Sequence, residues 1–204
     1  MPLPGLSIEP VYKGFPTLYC ADAAAWRAWL QQYHQQAQQV WLVIFRKGGP
    51  IPSVTYPEAL DEALCFGWID SKINKRDTQS HYQFFSVRNA KSNWSQVNKE
   101  KVEKLIAAGK MAPAGLAMVA LAKETGTWTA LDEVEAGLIP PDLQAALAAQ
   151  PPAAANFESF PRSARRGILE WIMNAKTPAT RQKRILETAR LAARNERANQ
   201  YKPK

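Results

Sequence analysis

Sixteen consecutive residues, Tyr56 to Ser71, constrain this fold more than any other stretch. They read YPEALDEALCFGWIDS and describe a complete passage from helix to strand. Thr55 stands just before the run and Glu58 follows it by three, the spacing of a capping box. Pro57 fits in a first turn, where the missing amide has no partner to lose. Leu60, Ala63 and Leu64 fall at i, i+3 and i+4 and share one face. Glu58, Asp61 and Glu62 place negative charge toward the positive end of the helix dipole. Gly67 supplies the left-handed residue that stops the helix. Trp68 and Ile69 then begin a strand that runs to about Lys75.

The rest of the chain is read around that unit. Residues 1–15, rich in proline and glycine, form an extended lead-in. Asp22 caps a helix over residues 21–36, with Trp26, Trp29, Leu30 and Tyr33 as its apolar stripe. Val40 to Phe45 is a buried strand, rich in β-branched and aromatic residues. Gly48-Gly49-Pro50 turns the chain. Asp77 to Ser80 turns it again, so that the strand from Trp68 pairs with Tyr82 to Val87 in a hairpin. Ser95 caps a helix to Ala108 whose inner face is Asn98, Val102, Leu105 and Ile106. Pro113 opens another that ends near Gly126. Residues 127–141 are irregular and acidic. From Asp142 the chain is helical: an alanine-rich helix broken by Pro151-Pro152, a short one over Ala153 to Phe160, one capped by Ser163, and one begun at Thr177-Pro178 that runs to about Asn195. The expected class is α+β, a small mixed unit with a β-hairpin followed by a mainly helical C-terminal region. Its expected parts are 16–92, a helical pair at 93–126 packed on it, and a helical module at 140–197.

Composition limits the function. An apolar content of 46% permits an ordinary core. The longest unbroken apolar run, Val40 to Phe45, is far too short to span a bilayer, and the N-terminus lacks the pattern of a secretory signal. Two cysteines, Cys20 and Cys65, suggest no disulfide framework and point to a reducing, cytoplasmic setting. The net charge of +8 is unevenly spread: −2 over residues 1–71, +6 over 72–110, −5 over 111–160 and +9 over 161–204. Two basic blocks flanking an acidic one suit an anionic partner, against the plainer reading of a solvated helix face and a basic tail.

Catalytic and metal patterns are not found. His34 and His81 lie far apart, and no CxxC or HxxxH spacing occurs, so no metal site is expected. No nucleophile elbow is present, and the glycine pair at 48–49 lacks the lysine and hydroxyl of a phosphate loop. No cofactor is implied. Two constellations remain. Trp68, Asp70, Lys72 and Arg76 on the hairpin, with Asn93, Trp94 and Ser95 opening a helix, are a candidate pocket with an anion end and an aromatic wall. The plainer reading has Ser95 only capping and the tryptophans only packing. Lys183, Arg190, Arg194 and Arg197, at i, i+7, i+11 and i+14, are a candidate polyanion stripe on the last helix. No aromatic residues interleave with it, which argues against single-strand stacking.

Three blocks also carry a resemblance: TYPEALDEALCFGWIDSK, KSNWSQVNKEKVEKLIAAGKMAPAGL and SARRGILEWIMNAKTPATRQKRI. Together they resemble the YdeI/OmpD-associated family, also called bacteriocin-protection, over roughly residues 16–195. At Ala112 the family usually has threonine, so one capping oxygen is missing, worth roughly 0.5–2 kcal/mol locally. The resemblance implies a non-catalytic binding or accessory protein with an envelope or stress role, and brings no catalytic residues. Its partner would be an unidentified protein or a small anionic ligand. The alternatives are a nucleic-acid or anionic-surface binder using the basic helices, and an enzyme acting on a small anionic ligand. The sequence sets no oligomeric state.

Overall fold

A computed structural model describes residues 9–200. The chain divides after Thr129 into two compact units, and the class is α+β as the sequence predicts.

The first unit is built on a five-stranded sheet. Its strands are β1 (Val11–Tyr12), β2 (Phe15–Tyr19), β3 (Gln39–Phe45), β4 (Trp68–Lys75) and β5 (Ser80–Val87), in the spatial order β1-β2-β3-β5-β4. β2 runs parallel to β3, and the other pairs are antiparallel. The expected hairpin of β4 and β5 is present, with a register shift between Asp70 and Ile73. Of the lead-in expected over residues 1–15, residues 1–8 lie outside the described part. The remainder is not merely extended: it supplies β1 and starts β2.

Period-two alternation sorts the sheet into two faces. Val40, Leu42, Ile44, Phe85 and Trp68 join the core that includes helices α1 (Ala23–Tyr33) and α2 (Tyr56–Cys65). Trp41, Val43, Phe45, Tyr82 and Phe84 form a second cluster on the other face, with Tyr12, Phe15, Tyr19 and Ile51 packed against it. Trp26 is fully buried, and its indole N–H donates to the Ala59 carbonyl at 3.0 Å, fastening α1 to α2.

α2 starts as its sequence dictates. Thr55 N donates to the Glu58 carboxylate at 2.9 Å, completing the capping box. It ends at Gly67, whose φ of +74° favours a residue without a side chain. Helices α3 (Gln96–Ala107) and α4 (Pro113–Glu124) follow. Within α3 the inner face differs from expectation: Val102 and Leu105 are buried, but Ile106 is exposed and Lys99 is buried instead. A lysine tolerates such burial because its four methylenes are apolar. α4 begins without a side-chain cap at Ala112. The Ala112 amide donates instead to the Cys65 carbonyl at 3.0 Å. One turn on, Gly115 lies so close to α2 that a Cβ there would sit 2.3 Å from that same carbonyl oxygen.

The second unit is helical: α5 (Asp132–Glu135), α6 (Pro141–Ala148), α7 (Ala153–Ser159), α8 (Arg162–Met173) and α9 (Pro178–Ala192). Leu143, Leu147, Phe157, Ile168, Ile172, Ile185 and Ala189 fill its core. Two expectations are corrected. α8 opens after Pro161 with Arg162 as its first residue, so Ser163 lies inside the first turn and caps nothing; the Pro161 carbonyl already accepts from the Ala164 and Arg165 amides, which closes the first turn ahead of Ser163. α9 stops at Ala192, short of the expected Asn195, because Asn195 adopts φ +57°. The Asn195 and Glu196 amides then close back on Ala192 and Leu191, a left-handed helix stop. The tail expected to fray falls partly outside the described residues, at 201–204.

Candidate functional site

In the first unit the sheet face that bears α1 and α2 extends beyond the start of α2. There an open cleft of about 360 Å³ is lined by Tyr56, Asp70, Ser71, Ile73, His81 and Gln83. Strand geometry puts them together. Along β5, residues 81, 83 and 85 share one face. They lie opposite Ile44, Leu42 and Val40 of β3. Phe85 is the buried end of that row, Gln83 sits behind the cleft, and His81 reaches its rim. Asp70 comes from the neighbouring strand, paired with Phe85.

The Asp70 carboxylate accepts from the Tyr56 hydroxyl at 3.0 Å and from the Gln83 amide at 3.4 Å. Gln83 also donates to the Lys72 carbonyl at 3.3 Å, across the bulge. Burial, with the Asp70 charge beside it, pushes the Tyr56 phenol up to about 12. It therefore stays protonated at neutral pH and acts as a donor. Burial pushes His81 below the ordinary histidine value, which leaves a neutral imidazole near pH 7. The cleft offers a phenol, a neutral imidazole, an amide and one carboxylate beside the apolar side chain of Ile73, two-thirds of which is exposed.

Of the residues expected to form a pocket, Asp70 alone lines this cleft. Trp68 is only 1% exposed. Its indole N–H donates to the His34 carbonyl at 3.4 Å, and its ring meets Trp29 edge-on at 5.9 Å. Lys72 is exposed on the bulge of β4. Arg76 pairs with Asp77 at 2.8 Å, donates to the Ser80 hydroxyl at 3.1 Å, and lies 5.9 Å from the Phe45 ring centre. The Asn93-Trp94-Ser95 segment meets other neighbours. Trp94 is buried, with the Arg88 guanidinium 3.8 Å from its ring centre and Trp128 at 5.0 Å. The Asn93 carbonyl accepts from Arg88 at 2.6 Å, and Ser95 caps α3 by accepting from the Asn98 amide at 3.4 Å. Arg88 is itself buried, and burial lowers it to about 10. It keeps its charge at neutral pH, held by a carbonyl and an aromatic face rather than by a carboxylate.

Tyr56, His81 and Gln83 were not singled out from the sequence. The HYQFF run reads as a strand, and only the register against β3 and β4 brings its polar members to Asp70.

In the second unit, Lys183, Arg190, Arg194 and Arg197 are all exposed. Lys183 and Arg190 share a helical face of α9. Arg194 and Arg197 follow the end of the helix, so the regular stripe stops at Arg190, and the Arg197 guanidinium lies 5.9 Å from the Phe160 ring centre. Other arginines of this unit are engaged internally. Arg181 grips the Asp142 carboxylate through two bonds, at 2.7 and 2.9 Å, joining α9 to α6. Arg184 donates to the Trp171 carbonyl and lies 4.9 Å from the ring centre of that residue. Among the described residues no cluster of three or more histidine, cysteine or carboxylate side chains is placed to hold a metal ion, and no helix is long and apolar enough to cross a membrane.

Comparison with known proteins places two matches on the chain. Residues 18–118 match a family described as Domain of unknown function (DUF8412). Residues 138–195 match the family described as Bacteriocin-protection, YdeI or OmpD-Associated. No curated protein and no solved structure matches the chain. The first two of the three blocks quoted above belong largely to the first match, and the third, within α8 and α9, lies in the second. The chain therefore carries a YdeI/OmpD-associated, bacteriocin-protection domain, built by residues 138–195.

Proposed function

We propose that this is a non-catalytic binding or accessory protein of the cytoplasm, serving envelope or stress protection, that engages an acidic partner through its helical unit. The observation that carries the reading is the set of exposed cations, Lys183, Arg190, Arg194 and Arg197, on and just beyond the last helix of that domain. Exposed cations that are free to approach an anionic surface steer association and weaken with salt. The two cysteines, both buried and unpaired, support a reducing compartment.

The test is binding of fluorescent duplex DNA, used as a generic polyanion, and of anionic vesicles, by anisotropy and co-sedimentation over a salt series. Affinity is expected to fall as salt rises. Replacing Arg190, Arg194 and Arg197 together by alanine should reduce the slope of log K against log salt for duplex DNA by about 2.7 if each meets one phosphate. Tight duplex binding would favour nucleic acid as the partner, and vesicle binding alone an anionic surface. No binding of either probe at low salt would end the reading.

The second reading, an enzyme on a small ligand, draws its support from the cleft at Tyr56, Asp70, His81 and Gln83. That cleft is lined by both a phenol donor and a neutral imidazole. A carboxylate in its wall disfavours an anion there and suits a ligand that brings a hydroxyl or amino group.

A further inference from the structure

The apolar face of α8 has an arginine on it. Ala164, Ile168, Leu169 and Ile172 are buried. Arg165 precedes Ile168, Leu169 and Ile172 by three, four and seven residues, so it occupies the N-terminal end of the same face. A side chain there for packing alone would be leucine or methionine. The Arg165 Nε is shut off from solvent and finds no hydrogen-bond partner. A buried donor left unpaired is costly, and a charged one more so.

Arg165 as a whole is only half-buried, so the rest of its side chain is what a ligand could meet. It lines a cleft of about 210 Å³ between α5 and α8, with Arg162, Arg166, Val134, Glu135 and Gly137 among its walls. Such a space far exceeds the roughly 10–15 Å³ that one water requires. Arg166 is committed within the protein. It holds Glu135 through Nε and Nη2, at 2.9 and 2.8 Å, and Glu170 through Nη1 at 2.9 Å. Arg162 donates to the Glu135 main-chain carbonyl at 3.2 Å, a neutral partner that leaves its charge uncompensated. The lining thus carries three guanidinium groups against one carboxylate, and that carboxylate is already bound by Arg166.

We propose that this cleft is a binding site for a small phosphate-type oxyanion, with Arg165 and Arg162 as its ligands and Arg166 as the group that, by holding Glu135, keeps the carboxylate from competing. Planar guanidinium groups match the geometry of phosphate oxygens and bind them through paired, charge-assisted bonds. The site is distinct from the exposed cations of α9 and does not depend on them.

The full-length protein is titrated with inorganic phosphate and, separately, glycerol 1-phosphate, against sodium chloride of equal ionic strength, following the melting temperature and the heat of binding. Saturable stabilisation by at least one of the two, beyond the chloride control, is expected. Stabilisation by phosphate alone identifies a free anion as the ligand, and by the ester as well, a phosphorylated group. The effect should fall at least tenfold in apparent affinity in Arg165→Met and be unchanged in the α9 triple variant, which separates this site from the reading above. Arg162→Gln, on the exposed side of the cleft, provides the same test if Arg165→Met does not fold. Absence of stabilisation in the wild type, or equal stabilisation in the wild type and the folded cleft variant, would overturn the proposal.

Discussion

His81 shows how one residue links burial to a measurable property. Its imidazole is held below the ordinary value of 6.5 by burial. The unfolded chain therefore takes up a proton at a higher pH than the folded one does. Stability from this group is present above about pH 6.5 and is lost as the pH falls through the lowered folded value. Urea unfolding of the wild type between pH 7.5 and 5 should show that decline, and His81→Gln should flatten it. An equally steep decline in the variant would assign it to other groups. The role of this residue was not legible in the sequence, where a lone histidine in a strand has no visible neighbours. Asp70 was legible as a polar residue at the start of a strand, but not Tyr56 as its donor, because that contact joins a helix start to a strand across 14 positions. Trp68 and Trp94 were read two ways, as pocket walls and as packing. The structure buries both. Their spacing could not decide this, since burial depends on which helices cover the sheet.

Elements with strong local signals were read well, and those defined by distant pairing were not. The capping box at Thr55, the Asp22 and Ser95 caps, the helix start at Thr177-Pro178 and the stop at Gly67 are all encoded within a few residues, and each is present, whereas the cap read at Ser163 is not. β1 and β2 were missed because they are short and include Pro16, and because β2 is completed only by parallel pairing with β3. α5 is a single turn within an acidic stretch with no apolar period to announce it. The contact between α2 and α4 gives a paired prediction at this scale. In a helix, glycine to alanine ordinarily gains up to about 1 kcal/mol. At Gly115 the new Cβ would strike the Cys65 carbonyl, a main-chain atom that cannot swing aside. Overpacking of that kind costs about 1–3 kcal/mol, so Gly115→Ala should lower the urea midpoint. Gly167→Ala in α8, where a Cβ meets open space, should leave it unchanged or raise it. A Gly115→Ala protein as stable as the wild type would show that α4 can shift freely on α2.

At the scale of the whole molecule, the chain has separate cores. Every residue of the sheet-based clusters precedes Ala130, and every residue of the helical cluster follows it. Such a chain is not expected to unfold as one cooperative unit. Trp68→Ala removes a large buried aromatic and should destabilise the first unit by about 3–5 kcal/mol, and Ile168→Ala the second by about 2–5 kcal/mol. In scanning calorimetry each variant should shift a different transition and leave the other in place. A single transition moved by both substitutions would contradict the division. The two family matches, 18–118 and 138–195, fall on opposite sides of the same boundary. The consequence can be stated in the language of genetics. On this division a lesion that empties one core is expected to leave the other intact, as if two structural genes were read in a single frame. Missense alleles from opposite sides of Thr129 should then complement one another in trans for any role that calls on the two units one at a time.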